Sequence, residues 1–93
     1  IQKAWIDLKN AEGRIVKGHK IGLTSKAMQS ALNIDEPDSG VLLDDMVFTD
    51  GGLVPTERFI ATRVEAELAF VMKTRPSGPD CTMFDVPNAT DFV

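Results

Sequence analysis

Apolar and acidic side chains alternate most clearly in the run Arg63-Val64-Glu65-Ala66-Glu67-Leu68-Ala69-Phe70. In a β-strand, side chains two residues apart leave the same face, so the run predicts a strand with Glu65 and Glu67 directed together. Two carboxylates held together repel each other, and a bound cation between them removes that repulsion. Oxygen ligands suit a hard ion such as Mg²⁺ or Mn²⁺. The alternative is a strand whose acidic face is simply solvated.

The composition is that of one small globular domain. The 93 residues are 43% apolar and 26% charged, with a net charge of −4. Charges of both signs are scattered, which argues against nucleic acid and membrane surfaces as partners. The single Cys81 fits a reducing cytoplasm and is expected to be buried or half-buried. Because the chain starts at Ile1 within an apolar helical pattern and stops at Val93 within another, we expect 1–93 to be a partial domain, truncated at both ends.

Apolar spacing predicts two helices in the first third of the chain. Residues 1–12 carry apolar side chains three and four apart, and Gly13 ends this helix. Thr24 or Ser25 caps the second helix, which Asn33 ends. The side chains expected to be buried are Ile1, Ala4, Trp5, Leu8 and Ala11 in the first helix and Ala27, Met28, Ala31 and Leu32 in the second. The stripe with Trp5 fits a contact between subunits as well as it fits a core.

Strands and loops account for most of the remainder. The segment from Arg14 to Leu23 alternates and predicts a strand, although its glycines weaken it. A last helix starts near Asp85 and runs toward the end of the chain, with Pro87 in its tolerant first turn. Between them the sequence predicts a loop at 35–40, extended pieces at 41–43 and 46–48, a turn at 50–52, a strand from Phe59 or Ile60 to Met72, and a loop at 74–79.

Two further residues are candidates for chemistry. Lys20 lies between Gly18 and Gly22, which share its side of an extended chain, so its ammonium stands over bare backbone that an anionic ligand can approach. A solvated lysine is the alternative. His19 faces the other way and is expected to be partly buried. Asp38 lies in the predicted loop, where polar groups can enter a cleft, although ordinary turn chemistry also explains it.

Several segments together resemble one enzyme family. They are Glu12-Gly13-Arg14, the run from Gly18 to Gln29, Glu36-Pro37-Asp38, the run from Leu42 to Met46, Glu65-Ala66-Glu67 and the run from Asn88 to Val93. In this order they resemble the hydratase and decarboxylase branch of the fumarylacetoacetate hydrolase superfamily.

The resemblance implies an α+β fold with a strongly bent, mainly antiparallel sheet and flanking helices. It also implies a cytoplasmic homo-oligomer with Mg²⁺ or Mn²⁺ in its site. Glu65 and Glu67 match two metal ligands of the family, and the third is expected at or just past Val93. Lys20 matches a lysine that we assign to the substrate's carboxylate or 2-oxygen, and Asp38 is assigned to proton transfer or to orienting water. Ser39 and Pro87 depart from the family pattern, Ser39 standing where an aromatic residue is expected.

The activity implied by the resemblance is addition of water to a 2-hydroxy- or 2-oxo-heptenedioate, in the meta-cleavage degradation of aromatic compounds. The substrate would be a small oxo acid that reacts through a metal-stabilised enolate. Decarboxylation of 4-oxalocrotonate and hydration of 2-hydroxypenta-2,4-dienoate are alternatives within the branch. A non-catalytic scaffold is an alternative from a different class. The isolated 93 residues are expected to be inactive, because they lack the third ligand.

Overall fold

Short helices and strands form two units, residues 1–55 and 56–93, in the computed structural model, which describes residues 1–93. The first unit contains α1 (Gln2–Ala11), β1 (Val16–Gly22), α2 (Lys26–Ala31), β2 (Asp38–Leu43) and a 3-10 turn (Asp44–Met46). The second contains a 3-10 turn (Thr56–Arg58), β3 (Val71–Met72), α3 (Asp85–Ala89) and β4 (Thr90–Phe92). This is a small mixed α and β structure with two short antiparallel sheets, which confirms the predicted mixture at that level.

Both predicted helices of the first unit are confirmed, and local chain chemistry explains where they end. Gly13 follows α1 with a φ of +88°, a left-handed conformation that glycine adopts without steric cost. Asn33 follows α2 with a φ of +55°, which asparagine tolerates better than most residues. Ser25 precedes α2 in extended conformation, as a cap residue does.

The prediction that the two helix faces pack into a core is wrong. Neither apolar face is buried within the first unit: Trp5 is 40% exposed, Leu8 64% and Met28 52%. The only buried residue of α2 is the polar Gln29, and α1 has none. Helical periodicity identifies side chains that share a face, but it does not supply the surface that covers them.

Strands β1 and β2 pair antiparallel and form the sheet of the first unit. The register places Gly18 opposite Leu42, Lys20 opposite Gly40 and Gly22 opposite Asp38. A bulge interrupts the ladder between Val16 and Gly18. Leu43, at the end of β2, is 1% exposed and is the one fully buried large side chain.

A polar cluster continues the ladder beyond β1 and β2. The Asp44 N–H donates to the Ile15 carbonyl at 2.9 Å, and the Ile15 N–H donates back to Asp44 Oδ1 at 3.0 Å. The Arg14 guanidinium lies 3.7 Å from Asp44 Oδ2 and 3.6 Å from Asp45 Oδ2. The hydrogen bond from Ile15, with Arg14 adding to it, lowers the pKa of Asp44 below its usual range.

We expect Asp44→Ala to lower the melting temperature of the complete protein at pH 7, because it removes the carboxylate that accepts a hydrogen bond from the Ile15 N–H. A pKa that is lower in the folded than in the unfolded chain stabilises the fold above the unfolded pKa, about 4. That contribution disappears as the pH falls through the folded value. The difference in melting temperature between wild type and variant should therefore shrink below about pH 4. A difference that stays constant from pH 7 to pH 3 would contradict this account, and Asp35→Ala, in an exposed loop, is the control.

The second unit differs from its prediction in two places. The strand expected from residue 59 or 60 to Met72 is assigned only at Val71–Met72, because the partner strand β4 is three residues long. Helix α3 starts at Asp85, as predicted, but ends at Ala89, where the chain turns into β4. The Lys73 N–H donates to the Ala89 carbonyl at 2.9 Å, which ties the two strands together at this point.

Other local predictions have mixed outcomes. The turn at 50–52 is confirmed, with Gly51 at a φ of +71°, and the loop at 74–79 contains no helix or strand. The extended piece predicted at 46–48 is wrong at Met46, which belongs to a 3-10 turn. Cys81 is exposed, so its predicted burial is also wrong. None of the three helices has the length and apolar character needed to span a bilayer.

Candidate active site

Two of the four predicted site residues lie on the same face of the β1–β2 sheet. Lys20 is opposite Gly40, and Asp38 is opposite Gly22, two residues farther along β1. Lys20 and Asp38 are therefore diagonal neighbours, a relation in which residues are typically about 7–8 Å apart and within reach of long side chains. The sequence predicted both residues but not that strand pairing brings them together.

Glycines leave the backbone bare between Lys20 and Asp38. A Cβ atom built on Gly22 or on Gly40 would meet nothing within 4 Å. On the same face, Leu42 supplies an apolar side chain opposite Gly18. The face thus combines a cation, an acid and open backbone, an arrangement suited to a small anionic ligand that lies flat against the strands.

Asp38 lies in a strand and not in the predicted loop. Pro37, Ser39 and Gly40 predicted a loop, but Asp38 is the first residue of β2, because its backbone pairs with Gly22. Asp38 Oδ1 accepts a hydrogen bond from the Ser39 N–H at 2.8 Å. This bond orients the carboxylate, which has further acceptor positions for water or a ligand.

The opposite face of the sheet carries His19, Ile21, Ser39 and Val41. The expectation that His19 would be partly buried is wrong, since it is exposed, and Ile21 beside it is 60% exposed. Ser39, where the resemblance leads one to expect an aromatic side chain, also lies on this second face. We therefore assign no chemistry to His19.

Sequence reasoning missed one polar residue near this site. Gln29 is 3% exposed, and its side-chain amide Nε2 donates to the Leu23 carbonyl at 2.5 Å. Leu23 directly follows Gly22 and has a φ of +53°, a left-handed conformation that is rare for leucine. A glutamine directly after Met28 in the short helix Lys26–Ala31 was the only available signal, and it predicts nothing by itself.

Glu65 and Glu67 lie in the second unit, in a stretch of the chain without assigned helix or strand. Both residues take part in interactions within the structure. A common direction for the two side chains requires a regular strand, and the strand begins only at Val71. Their common direction and their role as metal ligands remain predictions.

The donor chemistry of Glu65 and Glu67 fits a hard divalent cation, because both offer carboxylate oxygens. Residues 1–93 bring together no group of three or more acidic, histidine or cysteine side chains able to hold a metal ion. Mg²⁺ keeps several waters and needs only one or two protein carboxylates in many sites, so a pair is chemically sufficient for part of its shell.

A separate cleft of about 470 Å³ lies in the second unit, between the loop after β3 and helix α3. Arg75, Cys81 and Asp85 are among its lining residues, and none of the four predicted site residues is. Asp85 accepts hydrogen bonds of 2.6 Å from the N–H and the hydroxyl of Thr82, which together lower its pKa. These bonds give Asp85 a structural role at the start of α3.

Comparison with curated proteins agrees with the family resemblance. The chain is 62% identical over 93 residues to 2-oxo-hept-4-ene-1,7-dioate hydratase of Escherichia coli. All 93 residues of the chain are therefore similar in sequence to this hydratase. It is 43% identical over 94 residues to 2-hydroxypent-2,4-dienoate hydratase of Pseudomonas putida, and 42% identical over 85 residues to 4-oxalocrotonate decarboxylase of Pseudomonas sp. (strain CF600). No family model matches the chain.

The matches cover nearly all of this chain but only part of each relative. The matches span 100%, 100% and 91% of this chain, but only 35%, 42% and 32% of these three relatives. The chain therefore spans between about a third and two fifths of the length of these curated relatives. Lys20, Asp38, Glu65 and Glu67 all fall within the stretch aligned to the Escherichia coli protein, since that alignment covers every residue of the chain.

Proposed function

We propose that the protein containing this chain is a hydro-lyase that adds water to a 2-oxo-heptenedioate, with Mg²⁺ or Mn²⁺ as its cofactor. The observation that carries the proposal is the 62% identity to the dioate hydratase over the full 93 residues, against 43% and 42% for the monoacid hydratase and the decarboxylase. The proposal includes the finer features of that family: a bent, mainly antiparallel sheet, homo-oligomeric assembly and a cytoplasmic location in aromatic catabolism.

The proposed reaction is a conjugate addition. A 2-hydroxy-dienoate first ketonises, and water then adds across the double bond conjugated to the ketone, giving a 4-hydroxy-2-oxo acid. Negative charge develops on the 2-oxygen as the new C–O bond forms, so groups that stabilise an oxyanion accelerate the step. The water loses one proton, and the carbon next to the ketone gains one, which requires a group that transfers protons.

Lys20 and Asp38 are assigned to these two requirements. The Lys20 ammonium donates to the substrate's carboxylate or to its 2-oxygen, as a mobile point charge on a flexible stem. Asp38, oriented by the Ser39 N–H, accepts the proton of the attacking water or holds that water in place. The open backbone at Gly22 and Gly40 lets a flat, conjugated acid lie against the strands. These are positions on one face, which is why we assign the two residues to the same substrate.

Glu65 and Glu67 are assigned to the metal. Their carboxylates would provide two oxygen ligands for Mg²⁺ or Mn²⁺, and the proposal requires a further ligand from outside residues 1–93. The ion, when bound, supplies a Lewis acid that draws negative charge from the substrate's 2-oxygen.

The test is to identify products with the complete protein. The protein is incubated with 2-hydroxyhepta-2,4-dienedioate, 4-oxalocrotonate and 2-hydroxypenta-2,4-dienoate in separate reactions containing Mg²⁺. The proposal predicts that the heptadienedioate reacts with the highest kcat/KM and that its product gains the mass of one water. If release of CO₂ from 4-oxalocrotonate is the fastest reaction, the protein is a decarboxylase and not a hydratase. Fastest hydration of the monoacid would change the substrate assignment, and no turnover of any of the three would favour a scaffold.

The bare backbone gives a sharper prediction for one glycine. We expect Gly40→Val to fold with a melting temperature close to that of the wild type, because a Cβ at this position meets nothing within 4 Å. The added side chain would fill the space beside Lys20 and Asp38 that we assign to substrate. KM should therefore rise by about tenfold or more, the cost of losing roughly one good contact.

The control enlarges a side chain on the opposite face of the same sheet. Ile21→Phe adds bulk at a residue that is already 60% exposed and that points away from Lys20. KM should stay at the wild-type value. An unchanged KM in folded Gly40→Val, or an equal rise in both variants, would contradict the location of the substrate.

A further inference from the structure

The exit from β1 holds a strained residue. Leu23, with a φ of +53°, is one of two non-glycine residues in the chain with a positive φ. The other, Asn33, is of a type that adopts this conformation readily, whereas leucine is not. Such a conformation persists only where surrounding contacts hold it, and these positions cluster at functional sites.

Gln29 supplies the contact that holds Leu23. Its Nε2 donates to the Leu23 carbonyl at 2.5 Å, and its Oε1 accepts from Lys26 Nζ at 3.2 Å. Its backbone is also fixed, since the Gln29 N–H donates to Ser25 and its carbonyl accepts from the Ile34 N–H, both at 2.9 Å. It is the only polar residue in the chain that is buried, at 3% exposure. A buried amide with both ends bonded is a rigid anchor for a backbone carbonyl.

We propose that Gln29 is a positioning residue, which holds Leu23 in the left-handed conformation and thereby keeps Gly22 paired with Asp38. Leu23 is bonded directly to Gly22, and Gly22 is the residue opposite Asp38. Relaxation of Leu23 to a common conformation turns the end of β1 and moves Gly22 away from Asp38. Lys20, two residues back along β1, keeps its pairing with Gly40. The inference rests on the proposed function, because it assigns the proton transfer to Asp38.

Because Asp38 is displaced and Lys20 is not, Gln29→Leu should affect kcat and KM differently. The variant removes the donor and replaces the amide with an apolar side chain of roughly similar size. Substrate binding through Lys20 should persist, so KM should change little. Misplacement of Asp38 should lower kcat by up to about 10²-fold, the effect expected when a catalytic group moves by about 1 Å.

A second substitution distinguishes a role of Gln29 in holding the Leu23 conformation from a general contribution to the stability of the fold. Glycine adopts a φ of +53° without steric cost, so it needs no hydrogen bond to hold it there. The double variant Gln29→Leu with Leu23→Gly should therefore recover most of the lost kcat. A role in stability alone predicts no such recovery, because Leu23→Gly removes a half-buried side chain and restores no contact. Gln2→Leu is the matched control, since Gln2 Nε2 also donates to a backbone carbonyl, that of Ser39 at 3.1 Å, but from an exposed position on α1.

Amide hydrogen exchange of the segments containing Gly22 and Asp38 gives a readout that does not depend on turnover. Exchange should be faster in Gln29→Leu than in wild type and should return toward wild type in the double variant.

If the complete wild-type protein hydrates none of the substrates, the proposed function fails, and exchange alone decides the inference. If Gln29→Leu does not fold, recovery of folding in the double variant supports the inference and continued unfolding overturns it. An unchanged kcat with unchanged exchange in folded Gln29→Leu overturns it, as does a lost kcat that Leu23→Gly fails to restore.

Discussion

Replacing Glu65 and Glu67 together with glutamine should lower kcat/KM for the proposed hydration by on the order of 10³-fold. Glutamine keeps the size and one oxygen of each side chain but removes the negative charge that a hard divalent cation requires. The remaining turnover should depend only weakly on Mg²⁺. The measurement is kcat/KM of the complete protein across a Mg²⁺ titration, for wild type and for the double variant.

Glu57→Gln is the matched control for this experiment. Glu57 is an exposed glutamate in the same unit, within the 3-10 turn Thr56–Arg58, and lies outside the Glu65 to Glu67 run. It changes the net charge by one without touching the proposed ligands, so its Mg²⁺ dependence should match the wild type. If Glu65→Gln with Glu67→Gln retains both the wild-type rate and the wild-type Mg²⁺ dependence, the metal assignment is wrong.

Replacing Lys20 with methionine should lower kcat/KM by about 10²- to 10³-fold, the range found when one oxyanion-stabilising donor is removed. Methionine keeps an unbranched stem of similar length, so the loss reports the ammonium rather than the packing. The separation of kcat from KM identifies the atom that Lys20 contacts. A loss mainly in KM indicates the substrate's carboxylate, whereas a loss mainly in kcat indicates the 2-oxygen, whose charge grows in the transition state.

Lys17→Met is the control for Lys20→Met, because Lys17 lies on the same strand, is exposed, and falls at the bulge between Val16 and Gly18. The change removes one positive charge from β1 without altering the face that holds Lys20. Its kcat/KM should equal that of the wild type at 0.15 M salt, where charges more than about 8 Å apart are largely screened. Equal losses in the two variants would show that net charge matters and that Lys20 has no specific role.

Local chemistry was sufficient to predict the helices of the first unit, because their ends depend on residues within one turn. Gly13 and Asn33 adopt the left-handed conformations that stop α1 and α2, and both residue types favour that conformation. Strand pairing depends on residues far apart in sequence. Asp38 follows a proline and precedes Ser39 and Gly40, all turn residues, yet it forms a strand because Gly22 is available to pair with it.

The same limit explains the strand around Glu65 and Glu67. Alternation identified residues that can form a strand, but a strand is assigned only where a partner pairs with it, and β4 pairs with Val71 and Met72 alone. The burial of side chains could not be predicted from their spacing either. Trp5 and Leu8 have the spacing of a buried stripe, yet both are exposed within their unit. For the site, residue types predicted Lys20 and Asp38 as candidates, but only the register placed them on one face. The role of Gln29 required the coordinates of Leu23, since no local pattern predicts a left-handed leucine.

We propose that Lys20 and Asp38, diagonal neighbours on one face of the β1–β2 sheet, act on the same substrate. A double-mutant cycle in kcat/KM tests it most directly, with Lys20→Met, Asp38→Asn and the combined variant in the complete protein. Groups that act as a unit give losses that do not add. The account predicts that the combined variant is little slower than the slower single variant. Losses that multiply, as independent sites require, would contradict the claim.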